Sequence, residues 1–232
     1  MNLSIIKKVG LPVLLSCSAS GAYAENAVGG VSLGATRVIY PIKAKQISLP
    51  VINHSKKDRF LINSWVETAD EKKTKDVLIT PPLFVAEPGT ENTLRIVNLA
   101  GQLPQDRESV YWINVKAIPS IDKDALIDKN ILQLAVLSRI KLFIRPKNLT
   151  MKPETALEKI TFSKLGDSIQ VNNPSPYHVS FVNVYVDGVR VANAMAAPLT
   201  QTKITNVAGK KISYQTVNDF GGLTAKVDLN LD

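Results

Sequence analysis

Apolar and polar positions alternate along most of the chain, in short runs with the period of two that marks a half-buried β-strand. Such runs cover Val31 to Tyr40, Gln46 to Asn53, Phe60 to Glu67, Val77 to Thr80, Thr93 to Asn98 and Val110 to Ala117. Turn-forming clusters separate them: Asn53-His54-Ser55, Glu87-Pro88-Gly89 and Leu103-Pro104-Gln105-Asp106. Together with residues 130–145 these runs predict seven strands in ~100–120 residues, the number found in an immunoglobulin-like sandwich. Beyond Pro146 a second set begins, over Ile160 to Lys164, Ser168 to Asn172, Val179 to Val186, Lys203 to Val207, Lys211 to Thr216 and Lys226 to Leu231. Asn172-Asn173-Pro174-Ser175-Pro176 and Asp187-Gly188 mark turns among them. The pattern predicts an all-β chain of two immunoglobulin-like β-sandwich domains on a short linker, residues 25–146 and 147–232. No convincing amphipathic helix is present; Lys123 to Lys129 would make one turn at most.

One stretch breaks the alternation. In "NILQLAVLSRIKLFIRP", residues 130–146, Leu132, Leu134 and Val136 lie on one face of a strand, yet Ile131, Ala135 and Leu137 make the other face apolar too. A strand that is apolar on both faces is normally buried on both. Burial in this protein's own core or in a homodimer would account for it, as would a different partner chain.

The first 24 residues form a leader rather than a strand. Lys7 and Lys8 precede an apolar run from Val9 to Leu15, and small residues then lead to Ala22-Tyr23-Ala24. This is the layout of a secretory signal peptide with an A-x-A cleavage site, which makes Glu25 the first mature residue. The run falls far short of the ~20 apolar residues a membrane span needs, and Gly10 and Pro12 interrupt it. The single cysteine, Cys17, lies in the leader, so the exported chain must be held by core burial without disulfides. A lipoprotein signal at Cys17 is the weaker reading, because Leu14-Leu15-Ser16 suits one only loosely.

The sequence is 45% hydrophobic and 21% charged, ordinary for a globular protein, with a net charge of +8 that becomes +6 once Lys7 and Lys8 leave with the leader. The cations are scattered as pairs, Lys56-Lys57, Lys72-Lys73 and Lys210-Lys211, in turn-like segments. Aromatic content is 6% with no stacking array, which argues against nucleic acid as a partner. Nor does any stretch of the mature chain suit membrane insertion.

Catalytic parts are missing. His54 and His178 stand far apart beside turn residues, so no zinc ligand set exists and no metal is expected. Gly209-Lys210-Lys211 lacks the rest of a phosphate-binding loop, no G-x-S-x-G elbow occurs, and Asp122 and Asp124 sit in polar loop sequence. A non-enzymatic role without cofactors follows.

Five segments, in order, carry a family likeness: "GVSLGATRVIYP" (30–41), "LPQDRESVYWINVKAIPS" (103–120), "LQLAVLSRIKLFIRP" (132–146), "NPSPYHVS" (173–180) and "NDFGG" (218–222). The chain thereby resembles the periplasmic chaperones of the chaperone–usher pathway, the PapD-like family of β-sandwich proteins, most of all its type 1 fimbrial branch. The resemblance implies two sandwiches set at an angle, pilus subunits as clients and an outer-membrane usher as the acceptor. It also implies that the strand at 130–145 is lent to a subunit lacking its last strand. Leu132, Leu134 and Val136 would enter the subunit's groove, while the opposite side chains help cover the first domain's core. Arg37 and Lys141 match the family's pair of cations that anchor the subunit's C-terminal carboxylate. Glu108, Arg145 and Asp219 match an interdomain ion network whose effect, for exposed pairs, would fall on orientation more than stability. Arg59-Phe60-Leu61 lacks the proline that the PapD-like branch carries near its usher-contacting surface, so no usher contact is carried over.

A secreted two-sandwich structural or adhesive protein is the alternative. A pilus component would need an N-terminal donor extension and usually a disulfide, and "ENAVGG" (25–30) is too short and small-sided to be one. The leader reading makes a direct prediction: N-terminal sequencing of the exported protein should begin at Glu25. A membrane-bound form modified at Cys17 would overturn it.

Overall fold

The computed structural model describes residues 30–120, 133–204 and 208–231. The leader and residues 121–132 lie outside that set, and with them Leu132, Ile131 and the possible turn at 123–129.

Nine strands build the first sandwich: β1 (Val31–Leu33), β2 (Arg37–Pro41), β3 (Ile47–Asn53), β4 (Phe60–Glu67), β5 (Val77–Thr80), β6 (Leu83–Ala86), β7 (Glu91–Asn98), β8 (Ser109–Pro119) and β9 (Val136–Arg145). One sheet runs β1-β3-β7-β5 and the other β2-β9-β8-β4-β6. The alternation seen in the sequence becomes the inside and outside of each strand. Leu49 and Val51 on β3, Ile62 and Val66 on β4, Leu94 and Ile96 on β7, and Ile113 and Val115 on β8 meet in one core.

The run at 31–40 is two strands in different sheets, not one. The break falls at Gly34, whose amide donates to the Pro50 carbonyl at 2.9 Å. A Cβ at Gly34 would stand 2.9 Å from the Pro50 ring, so only glycine lets the chain cross this closely. The crossing brings β2 into parallel pairing with β9, Arg37 opposite Lys141 and Pro41 opposite Arg145. Among the described residues, the strand expected over 130–145 covers Val136–Arg145.

The second sandwich follows a single helical turn, α1 (Pro153–Ala156), which has proline at its first turn, where a missing N–H costs nothing. Its strands are β10 (Thr161–Leu165), β11 (Ser168–Asn173), β12 (Val179–Val186), β13 (Val189–Arg190), β14 (Ala194–Ala196), β15 (Thr200–Ile204), β16 (Lys211–Thr216) and β17 (Val227–Asn230). They form the sheets β10-β11-β15 and β13-β12-β16-β17, with β14 also on β12. Phe162, Phe181 and Tyr214 make mutual ring contacts in a core separate from the first.

Both sandwiches close the end of a strand with the same device. Asn53 Nδ2 donates to the carbonyls of Asp58, Ala86 and Glu87, and Asn173 Nδ2 to those of Tyr177, Ala196 and Ala197. In each case the side-chain oxygen accepts from the amide of the serine two residues on, Ser55 or Ser175. One short amide thus pairs buried loop carbonyls that no strand can reach, which explains why Asn recurs in "NHS" and "NPS". Replacing Asn173 with Ala strands those carbonyls, and each unsatisfied buried group costs about 1–3 kcal/mol. Urea unfolding of Asn173→Ala should therefore show at least about 2 kcal/mol lost, whereas a change under about 0.5 kcal/mol, the size of a surface effect, would refute the role.

Candidate functional site

Strand β9 has two edges with different lengths of cover. β8 pairs with it along its whole length, from Ala117 opposite Val136 to Ser109 opposite Ile144. β2 pairs only with residues 141–145. Along 136–140 the second edge has no partner strand among the described residues, so backbone donors and acceptors face outward there.

Side-chain parity along β9 is set by β8. Ile113, Val115 and Ala117 point into the first core, so their partners Ile140, Ser138 and Val136 share that face. The core-facing stripe therefore runs Ile144, Leu142, Ile140, Ser138 and Val136, and Leu134, just ahead of the strand, keeps the same alternation in sequence. The stripe's inner members are buried, but Val136 is 60% and Leu134 69% exposed. Here the structure corrects the sequence reading. Ala135 and Leu137 do not cover the core: both are exposed, Leu137 by 50%. They lie on the opposite face, and the core has already ended at Ala117. Val136 continues the domain's own core stripe past the point where the core stops, and the alternation in sequence carries that stripe on to Leu134.

The opposite face of β9 looks toward the second sandwich. Arg37 and Lys141 are side by side in the β2–β9 register. The Arg37 guanidinium donates to the Val217 carbonyl at 2.8 Å, lies 5.7 Å from the centre of the Phe143 ring, and leaves its buried Nε without a partner. Lys141 Nζ donates to Ser180 Oγ at 2.8 Å. Neither cation has a carboxylate within salt-bridge distance among the described residues. Burial, then the nearby charge of Arg37, pushes the Lys141 ammonium down to about 8. Burial also lowers Arg37, against the pull of Asp219 and Glu108. Two partly desolvated cations with no directly paired carboxylate among the described residues form a site that an anion would relieve. The Lys141 charge is lost as the pH rises through about 8.

Four residues along β9 the electrostatics reverse. Arg145 Nε donates to Glu108 Oε1 at 2.7 Å, and its two terminal nitrogens clasp Asp219 in a bidentate pair at 2.6 and 2.7 Å. Burial opposes the charge on Arg145, but the hydrogen bonds to Asp219 and the charge of Glu108 outweigh it and raise its pKa. The Glu108 side chain is 1% exposed. Its second oxygen accepts from the His178 amide at 2.8 Å, and its own amide donates to the Pro176 carbonyl. Glu108 and Arg145 belong to the first sandwich; Asp219, Pro176 and His178 belong to the second. The network is not the exposed pair that the sequence suggested, so it bears on stability as well as orientation.

The "NDFGG" turn is locked onto this junction. Asn218 Oδ1 accepts from the amides of Phe220 and Gly222. Gly221 holds φ +84°, and any side chain there would collide with Thr36 at the start of β2. Sequence reasoning did not single out Ser180, the Val217 carbonyl, Pro176 or the His178 amide. Only the quoted segment "NPSPYHVS" hinted that its neighbourhood mattered. His54 is remote from the junction, hydrogen-bonded to Ser32. Among the described residues no cluster of His, Cys, Asp or Glu could hold a metal ion.

Comparison with known proteins adds context to this geometry. Residues 30–150 match the family described as pili and flagellar-assembly chaperone, PapD N-terminal domain, and residues 155–227 match pili assembly chaperone PapD, C-terminal domain. The probable fimbrial chaperone SfmC of Escherichia coli K12 is 49% identical over 209 residues, covering 89% of this chain and 91% of SfmC. The periplasmic chaperone SfaE superposes with a TM-score of 0.76 at 43% identity, covering 86% of this chain and 98% of SfaE. The SafB chaperone, solved in complex with the SafA pilin of Salmonella enterica, gives 0.78 at 29% identity, covering 88% and 97%.

The ion network yields a prediction of its own. Arg145→Met should leave Glu108 as an uncompensated buried charge, costing about 3–5 kcal/mol. Adding Glu108→Leu should recover much of that loss, because the buried carboxylate is then gone and Asp219, its side chain 32% exposed, can be solvated. If chemical denaturation shows the double variant to be no more stable than Arg145→Met, burial of the unpaired carboxylate is not the source of the loss.

Proposed function

The chain belongs to the PapD-type pili assembly chaperones, and from that membership we propose that it is an ATP-independent periplasmic chaperone. It captures pilus subunits by donor-strand complementation and delivers them to an outer-membrane usher. The leader ending at Ala24 is cleaved on export to the periplasm.

The observation that carries this reading is the overhang at the start of β9: an apolar stripe, Leu134 and Val136, that outruns its own core beside a backbone edge with no partner strand among the described residues. Strand addition uses both features, backbone hydrogen bonds for affinity and alternate side chains for pockets, and chaperone–pilin complexes are a type case of it. The client's missing strand leaves an apolar groove, and β9 with Leu132, Leu134 and Val136 fills it. Since this stripe already has the parity of a core strand, the client's core extends that of the chaperone. A structural or adhesive protein would have no use for such an overhang, which is an aggregation hazard unless something covers it.

Arg37 and Lys141 anchor the client's C-terminal carboxylate. The planar fork of Arg37, with its Nε unpaired, and the mobile ammonium of Lys141 together satisfy both carboxylate oxygens. Fixing the end of the client also fixes its register along β9, where a slip of one residue would turn every apolar side chain away from its pocket. Glu108, Arg145 and Asp219 hold the two sandwiches at the angle the client requires.

Leu134→Asp tests the reading. The variant should fold, because Leu134 is mostly exposed and beyond the core, and its circular dichroism and melting temperature should match the wild type. Capture of subunits in a periplasmic pull-down should be abolished, since an ionised carboxylate entering an apolar groove costs several kcal/mol. Normal capture by the folded variant would end the donor-strand assignment.

A further inference from the structure

Trp112 on β8 stands directly opposite Lys141 in the sheet register, and both point to the outer face. Its ring is flanked by two cations: the Lys141 ammonium lies 5.7 Å from the ring centre and the Arg139 guanidinium 4.3 Å from it. The Arg139 contact is close enough for a strong cation–π interaction. It also accounts for a peculiarity of Arg139, whose Nε and one terminal nitrogen are buried without hydrogen-bond partners. A guanidinium has five N–H donors, and here part of that capacity is given up to lie against the indole. The outer side of Arg139 is held by Glu71, which accepts from it at 2.9 Å, and by Glu67 at 3.5 Å. Glu71 lies in a tight turn, its amide donating to the Thr68 carbonyl, at φ +64°, a conformation uncommon outside glycine. Trp65 Nε1 in turn donates to Glu67 at 2.8 Å. The indole of Trp112 is therefore fixed from one side by a braced arginine.

Lys141, by contrast, is braced by little. A lysine ammonium is a point charge on a four-carbon stem that loses much rotamer freedom when fixed. In the free protein its polar contact is the single hydrogen bond to Ser180, a residue of the other sandwich. When a carboxylate arrives, that bond competes with the new one, and the ammonium needs a surface along which to turn without losing its favourable surroundings. The face of Trp112 is that surface.

We propose that Trp112, clamped by Arg139, is a positioning residue that holds the Lys141 ammonium where it meets the client's C-terminal carboxylate. The proposal rests on the assignment of Arg37 and Lys141 as the anchor. It deepens that assignment by extending the anchor to the outer face of β8 and to the 67–71 segment that braces Arg139.

The test uses the pilus subunit that co-purifies with the chaperone, prepared with its free C-terminal carboxylate and, through intein cleavage, as the C-terminal amide. Trp112→Leu keeps an apolar wall but removes the π face. It should weaken capture of the carboxylate form by about three- to thirtyfold, the range a cation–π contact supports, and leave affinity for the amide form unchanged. Trp112→Phe, which keeps an aromatic face, should stay within about threefold of the wild type. Equal losses for carboxylate and amide forms would mean a merely structural role and overturn the proposal. A wild type that does not distinguish the two forms would sink the anchor assignment itself, and the role of Trp112 with it. An independent readout needs no variant to fold: in NMR spectra of the free wild type, the ε-methylene protons of Lys141 should be shifted upfield by the indole ring current. Shifts at the ordinary lysine position would equally overturn the proposal.

Discussion

Everything at the junction depends on β9 having two neighbours of unequal reach. β8 holds it over its whole length and sets which side chains face the core, whereas β2 holds only its last five residues. The paired half is a normal core strand and carries the junction's side chains on its other face. The unpaired half keeps the same side-chain parity but has lost its core. A sheet edge with apolar side chains and free backbone groups is unstable in water by both hydrophobic and hydrogen-bonding criteria. It becomes favourable only when a second chain supplies what the first lacks. The break at Gly34 is what limits β2 to its short pairing, because the preceding residues are committed to the other sheet.

The same strand separates two uses of positive charge. Arg145 is matched by Glu108 and Asp219, buried, and used to fasten one sandwich to the other. Lys141 and Arg37, four positions back along the β2–β9 pair, have no such match and pay the desolvation that accompanies burial. Had Glu108 or Asp219 reached Arg37 or Lys141 instead, that cation would already be paired and less responsive to an anion. Their distribution is set by geometry: the bidentate fork of Arg145 occupies both oxygens of Asp219, and Glu108 spends its oxygens on Arg145 and the His178 amide. Engagement of both carboxylates at the fastening point is thus what leaves the neighbouring cations without a direct ion-pair partner.

Rigidity at the junction is supplied by backbone groups as much as by charge. The Val217 carbonyl receives Arg37, the Pro176 carbonyl receives the Glu108 amide, and Gly221 fits against Thr36. Each of these belongs to a turn of the second sandwich held in shape by an asparagine, Asn218 or Asn173. These loops are held by hydrogen bonds within the second sandwich itself, and order that does not depend on the first domain lowers the conformational entropy lost in forming the junction.

The sequence by itself determined the all-β architecture, the two sandwiches and the unusual strand at 130–145, because alternation is a local property that any strand must display. It also exposed Arg37, Lys141, Glu108, Arg145 and Asp219 as candidates, though through family likeness and not through any spacing. Only the tertiary structure decided what those residues do to one another. Arg145 and Asp219 are 74 positions apart, Lys141 and Ser180 are 39, and no periodicity encodes which surface of one domain lies opposite which surface of another. The two faces of 130–145 could not be ranked from composition, since both are apolar. The pairing of Val136 with Ala117 settled which face continues the core. Burial of Glu108 was equally invisible, because a carboxylate in "DRESVYW" reads as a solvated strand end until a second domain covers it.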